Sequence, residues 1–209
     1  GRTELRETHA EKWKLCEITN SEQRTGGIAE ALVGADVCIA LSTPGPDTLK
    51  KEWIEKMNKD AIVFACANPI PEIWPWEAKE AGARIVSTGR SDFPNQVNNS
   101  LCFPSIFRGV LDVQGRTITD TMCIAAAQAL ADFAAEKGLH EEKILPTMDE
   151  WEVFPRVAVA TALQAIKEGV ARITLSEDEL YALANQAIKR AQDTTKFLME
   201  KEIIPKAPF

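Results

Sequence analysis

Three short apolar runs decide what this chain can fold into: Asp36 to Leu41 (DVCIAL), Ala61 to Ala67 (AIVFACA) and Arg84 to Gly89 (RIVSTG). Each is too short for a helix and is bounded by turn or polar residues, so each reads as a buried strand. Between the first two, Leu49, Trp53, Ile54 and Met57 recur at helical spacing behind a Pro-Gly-Pro turn, which predicts a helix over Asp47 to Asn58. Between the second and third, Glu77 to Ala81 predicts a shorter helix closed by Gly82. A crossover helix returns the chain to the same edge of a sheet, so strands alternating with helices pair in parallel. Near-continuous apolar strands further imply a sheet covered on both faces.

After Gly89 the pattern becomes helical. Phe103 to Val113 is the first helix. Thr119 to Lys137 follows, with an apolar face of Met122, Ile124, Ala126, Ala129, Leu130 and Phe133 and a stop at Gly138. Phe154 to Val170 starts at a Pro-Arg turn and is rich in Ala and Val, the composition of a closely packed helix. Ser176 and Glu179 form a capping-box signature for a long last helix through Leu180, Leu183, Ile188 and Phe197. Its marginal apolar stripe suits a tail over a neighbouring domain or subunit and suits a simple surface helix equally well.

The charge of −7, from 31 acidic against 24 basic side chains with no basic run, removes the electrostatic footprint of nucleic-acid binding. No stretch is long and apolar enough for a membrane span, and Gly1 to Glu4 lack the apolar region of a secretion signal, so a cytoplasmic location is expected. The five cysteines, Cys16, Cys38, Cys66, Cys102 and Cys123, are widely spaced without a C-x-x-C pair. They read as buried small hydrophobes rather than as a disulfide framework, a zinc site or a catalytic thiol.

In an open parallel sheet ligands bind beyond the carboxyl ends of the strands. All three ends here are polar: Ser42-Thr43-Pro44-Gly45, then Asn68-Pro69-Ile70-Pro71-Glu72, then Ser87 to Asp92 leading into Asn95-Gln96-Val97-Asn98-Asn99. Such residues also serve ordinary turns through their backbone geometry. Three polar ends with carboxamides on two of them point instead to a site for an oxygen-rich ligand. A carboxamide supplies a donor and an acceptor without charge, which can orient a nicotinamide amide, a ribose hydroxyl or a carboxylate but cannot carry a proton at neutral pH. His9 and His140 read as solvated surface residues, Tyr181 as a packing residue, and Glu72 and Asp92 as caps or salt-bridge partners. The G-x-G-x-x-G loop that opens a Rossmann domain does not precede Asp36. The expected fold is therefore α/β: the second half of a Rossmann-like doubly wound parallel sheet, followed by C-terminal helices. Residues 1–115 are expected to form a partial nicotinamide-binding domain, and residues 116–209 a helical region packing on it.

Several of these runs, in order and with similar spacing, resemble the bacterial-type malic enzyme family. They are Gly34-Ala35-Asp36-Val37, Ser42-Thr43-Pro44-Gly45, Ile62 to Pro69, Pro71-Glu72-Ile73, Ala81 to Val86, Phe103 to Gly109 and, most specifically, Thr88 to Asn99. The match is good over about residues 27–173. The resemblance implies oxidative decarboxylation of L-malate to pyruvate and CO2 with NAD or NADP and Mg2+ or Mn2+. It implies that Asn68 lies at the nicotinamide ribose and the substrate, that Asn98 and Asn99 contact malate and nicotinamide, and that the turn from Ser42 to Gly45 passes near the cofactor. The family's tyrosine and lysine acid–base pair, its acidic metal ligands and its glycine-rich loop belong to sequence upstream. The chain alone is thus expected to hold no catalytic or metal-binding residue, to be inactive, and to work as a homo-oligomer, a dimer, together with such a segment. Ala40 where the family more often has Gly, and Ile70-Pro71 where it has Val-Pro or Asp-Pro, are mild departures. Trp74, Trp76 and Trp151 receive no role from the pattern. Two other readings stay open: the cofactor half of another two-domain dehydrogenase, against which the Asn95 to Asn99 cluster argues, and a non-catalytic regulatory or assembly module, favoured by the absent catalytic segment.

Overall fold

A computed structural model describes residues 5–206, so Gly1 to Glu4, the residues that bear on a secretion signal, lie outside the described residues. The chain divides into two compact units, Gly1–Val86 and Ser87–Phe209. The first contains α1 (Leu5–Thr8), α2 (Ala10–Ile18), α3 (Ile28–Ala31), β1 (Val37–Ala40), α4 (Lys51–Ile54), β2 (Ile62–Ala65) and α5 (Pro75–Glu80), and β3 (Ile85–Thr88) leads out of it. The sheet order is β1-β2-β3. The strands β1 and β2 run parallel, with Cys38 opposite Val63 and Ala40 opposite Ala65, and the ladder extends through bonds from the Ile62 N–H to the Asp36 carbonyl and from the Cys66 N–H to the Ala40 carbonyl. This is the α/β arrangement expected from the apolar runs.

The first unit's core gathers Cys38, Val63, Ala65 and Val86 from the strands with Leu32, Ile54, Ile73 and Ala78 from the helices and turns. Coverage on both faces fails at β1. Cys38 points into the core, whereas Val37, Ile39 and Leu41 are 45%, 64% and 75% exposed. Among the described residues the strand is a sheet edge, bonded on one side only, and its outer face is open. The helix expected over Asp47 to Asn58 is also shorter, at Lys51–Ile54. Asp47 sits at φ +75°, and the Leu49 N–H is taken by the carbonyl of Glu72, so the backbone is committed elsewhere before a helical turn starts. The helix α2 lies in a polar stretch and buries no residue, which is why apolar periodicity gave no sign of it.

The second unit holds a single 3-10 turn at Asn99–Leu101, then α6 (Phe103–Asp112), α7 (Asp120–Lys137), α8 (Val153–Lys167) and α9 (Glu177–Glu200). By compactness α6 belongs with the later helices, packing on α8 and α9. Thr119 caps α7 by accepting from the Met122 N–H, and Gly138 at φ +92° ends it. On α7 the buried face is Met122, Ala126, Phe133 and Ala134. Ile124, expected among them, is 65% exposed because it is two residues from Met122 and Ala126 and so lies on the far side of the helix. Ser176 and Glu179 cap α9 reciprocally, as the spacing predicts, but of its stripe only Leu180 is buried, while Leu183 and Phe197 are exposed.

Candidate functional site

In the first unit the chain beyond β1 and the chain beyond β2 are tied to one side chain. The Glu72 carboxylate is fully buried, accepting the Ser42 N–H at one oxygen and the Ala67 N–H at the other, each at 3.0 Å. Among the described residues no cation pairs with it. Its charge is instead met by backbone dipoles, which act as neutral donors from two neighbouring strand ends. The same residue's carbonyl accepts the Leu49 N–H at 3.0 Å, and the Gly45 N–H donates to the Ile70 carbonyl at 3.3 Å. Gly45 adopts φ +132°, a conformation that favours glycine, with open space where a Cβ would stand. Ser42, Gly45 and Asn68 are thus brought together on one braced pair of turns. Asn68 begins a cis Asn68–Pro69 bond, is exposed, and among the described residues its carboxamide has no partner.

Glu72 is the residue whose role sequence reasoning missed. A carboxylate in a turn reads as a cap or salt-bridge partner, and nothing in the local sequence says that its two partners are backbone groups of other segments. Burial, and secondarily the Glu72 charge, push the Cys38 and Cys66 thiols up from their ordinary range. Both stay protonated at neutral pH, but of the five cysteines expected to be buried only Cys38 is: Cys16, Cys66 and Cys102 are half-buried and Cys123 is exposed. All five cysteines are free.

In the second unit the carboxamides separate into two kinds. Asn95 is buried at 7% exposure with φ +55°; its amide nitrogen donates to the Glu141 carbonyl at 2.7 Å and its oxygen accepts the Ile144 N–H at 2.9 Å. Both sides of that carboxamide are taken by a loop. Asn98 caps the 3-10 turn, its oxygen accepting the Ser100 N–H at 2.9 Å and the Ser100 hydroxyl at 2.8 Å. The backbone donor fixes which end of the amide is oxygen, so the free end of Asn98 is its NH2 group. Asn99 is exposed, and its carboxamide has no partner among the described residues. Asp92 is paired with Arg90 at 2.7 Å, a bond that holds its carboxyl below and the guanidinium above the ordinary value. His9 and His140 are both exposed. Among the described residues no group of three or more His, Cys, Asp or Glu is arranged to hold a metal ion, and no helix is long and apolar enough to cross a membrane.

Against known proteins, residues 37–167 match the family model described as malic enzyme, NAD binding domain. A bifunctional malic/malolactic enzyme of Bacillus subtilis is 47% identical over 169 residues, 81% of this chain and 41% of that protein. An NAD-dependent malic enzyme of Geobacillus stearothermophilus is 47% identical over 159 residues, 76% of this chain and 33% of that protein. The crystal structure of Entamoeba histolytica malic enzyme superimposes with a TM-score of 0.95 at 51% identity, covering 100% of this chain and 43% of that one. The chain therefore spans roughly two fifths or less of the length of these relatives.

Proposed function

Since the chain belongs to the malic enzyme family, within its NAD-binding domain, we propose that it is part of an NAD(P)-dependent malic enzyme that oxidatively decarboxylates L-malate to pyruvate and CO2. The observation that carries this reading is the state of the carboxamides. Asn68 and Asn99 have no partner among the described residues and Asn98 keeps a free NH2 group, while Asn95 is consumed. Those free groups suit a nicotinamide amide, a ribose hydroxyl and a malate carboxylate, which need neutral donors and acceptors held still. Asn68, with Ser42 and Gly45 beside it, would hold the nicotinamide and its ribose, and Asn68, Asn98 and Asn99 would hold malate. When bound, the nicotinamide supplies the hydride acceptor for the malate alcohol. The chain's own part is to orient. Its carboxamides fix the substrate carboxylate and the cofactor amide, and the buried Glu72 fixes the turns on which Ser42 and Asn68 stand.

Among the described residues no group of three or more His, Cys, Asp or Glu is arranged for the Mg2+ or Mn2+ expected for this chemistry, and the part proposed for the carboxamides is orientation. Residues 1–115 would carry the cofactor-facing turns and residues 116–209 the helical region of a cytoplasmic, dimeric enzyme, a location suited to five unpaired cysteines. Steady-state kinetics on the whole enzyme test the assignment. Asn68→Ala, Asn98→Ala and Asn99→Ala should each lower kcat/KM by about ten-fold or more, the loss of one orienting hydrogen bond. Normally folded variants with full efficiency would remove the site.

A further inference from the structure

We infer that Glu72 is a positioning residue for Asn68, holding the Asn68 carboxamide in its working orientation by clamping the backbone immediately before it. This rests on the role proposed above for Asn68. The clamp is visible in the bond from the Ala67 N–H, one residue before Asn68, to one Glu72 oxygen, and in the bond from the Ser42 N–H to the other. A carboxylate fits this place and a carboxamide does not. Two N–H donors face the two oxygens, so a Gln could satisfy one donor only and would turn its own NH2 group against the second. The side chain is fully buried without a cation, so those two donors are what meets its charge. A second tie runs from the Leu49 N–H to the Glu72 carbonyl, so movement of residue 72 would loosen the approach to α4 along with both strand ends. Asn68 itself is exposed and unpartnered among the described residues, so no contact of its own sets its orientation, which comes from the backbone behind it.

The test is a double-mutant cycle in the whole enzyme, with kcat/KM for malate measured for wild type, Asn68→Ala, Glu72→Gln and the double variant. Each single change should lower efficiency by about ten-fold or more, and in the Asn68→Ala background Glu72→Gln should cost several-fold less than it does in the wild type, because Asn68 is gone and only the Ser42 turn is left for Glu72 to brace. Amide exchange in Glu72→Gln should quicken at Ser42 and Ala67 and remain slow at Val63. Full efficiency in Asn68→Ala would overturn the reading of Asn68 itself. Additive losses, or exchange that quickens at Val63 as well, would overturn only the positioning role, because a general loosening of the fold does not depend on Asn68. If Glu72→Gln does not fold, Glu72→Asp, which keeps the charge and withdraws it by one methylene, takes its place in the same cycle: non-additive losses support the positioning role and additive losses overturn it.

Discussion

A carboxamide that caps a turn has committed its oxygen, and at Asn98 this leaves only NH2 donors for a ligand. Asn98→Asp separates the two duties. A carboxylate still accepts the Ser100 N–H, so thermal stability should stay within about 0.5 kcal/mol of wild type, while in the role proposed for Asn98 the ligand side would change from donor to anion and would repel a malate carboxylate. Asn98→Asp should therefore lose more kcat/KM than Asn98→Ala and less stability, as kinetics and thermal denaturation on one set of samples will register; the reverse order would mean that Asn98 acts as a cap alone. Asn95→Ala should instead lower stability by about 1–3 kcal/mol, because it removes the bonds to the Glu141 carbonyl and the Ile144 N–H in a partly buried place. The sequence presented Asn95, Asn98 and Asn99 as one cluster, since residue type and spacing say nothing of which carboxamide turns inward. Glu72 was hidden for the same kind of reason: its partner Ser42 is 30 residues away.

The elements that could be read in advance are those whose ends are written locally. Thr119 with Gly138 bounds α7, Ser176 with Glu179 opens α9, and Gly82 follows α5, each a capping device within a few residues of the helix it limits. Removing one has a modest cost: Ser176→Ala should destabilise by about 1 kcal/mol in denaturant unfolding, and no measurable change would mean that α9 starts elsewhere. Gly109 reports something no local pattern states. A Cβ there would press into the Ala158 carbonyl oxygen and lie 3.1 Å from the Thr161 Cβ, so α6 and α8 meet backbone to backbone. Alanine is the better helix former, and propensity alone predicts that Gly109→Ala stabilises by about 1 kcal/mol. The close crossing should reverse that sign and cost about 1–3 kcal/mol or more. A raised Tm would show that the two helices lie farther apart. The length of α4 lay beyond prediction because it follows from where the rest of the fold puts its donors, whereas the exposure of Ile124 is readable from its spacing, two residues from both Met122 and Ala126.

At the scale of the whole molecule, the open edge of β1 governs behaviour in solution. Its backbone is bonded on one side only, and Val37, Ile39 and Leu41 are solvent-exposed beside that edge. An unprotected apolar edge pairs with other chains. The isolated 209-residue polypeptide should elute from size exclusion as species larger than its 23.0 kDa, and Ile39→Lys should return it toward the monomer. A monomer with strongly protected amides from Val37 to Leu41 would mean that something else covers the edge. Strand order and chain order also coincide, β1 then β2 then β3. During synthesis each strand therefore finds its neighbour already outside the ribosome, and the sheet grows in one direction without threading or waiting. Of the three strands β1 is consequently the first made and waits longest for the neighbour that this sheet gives it.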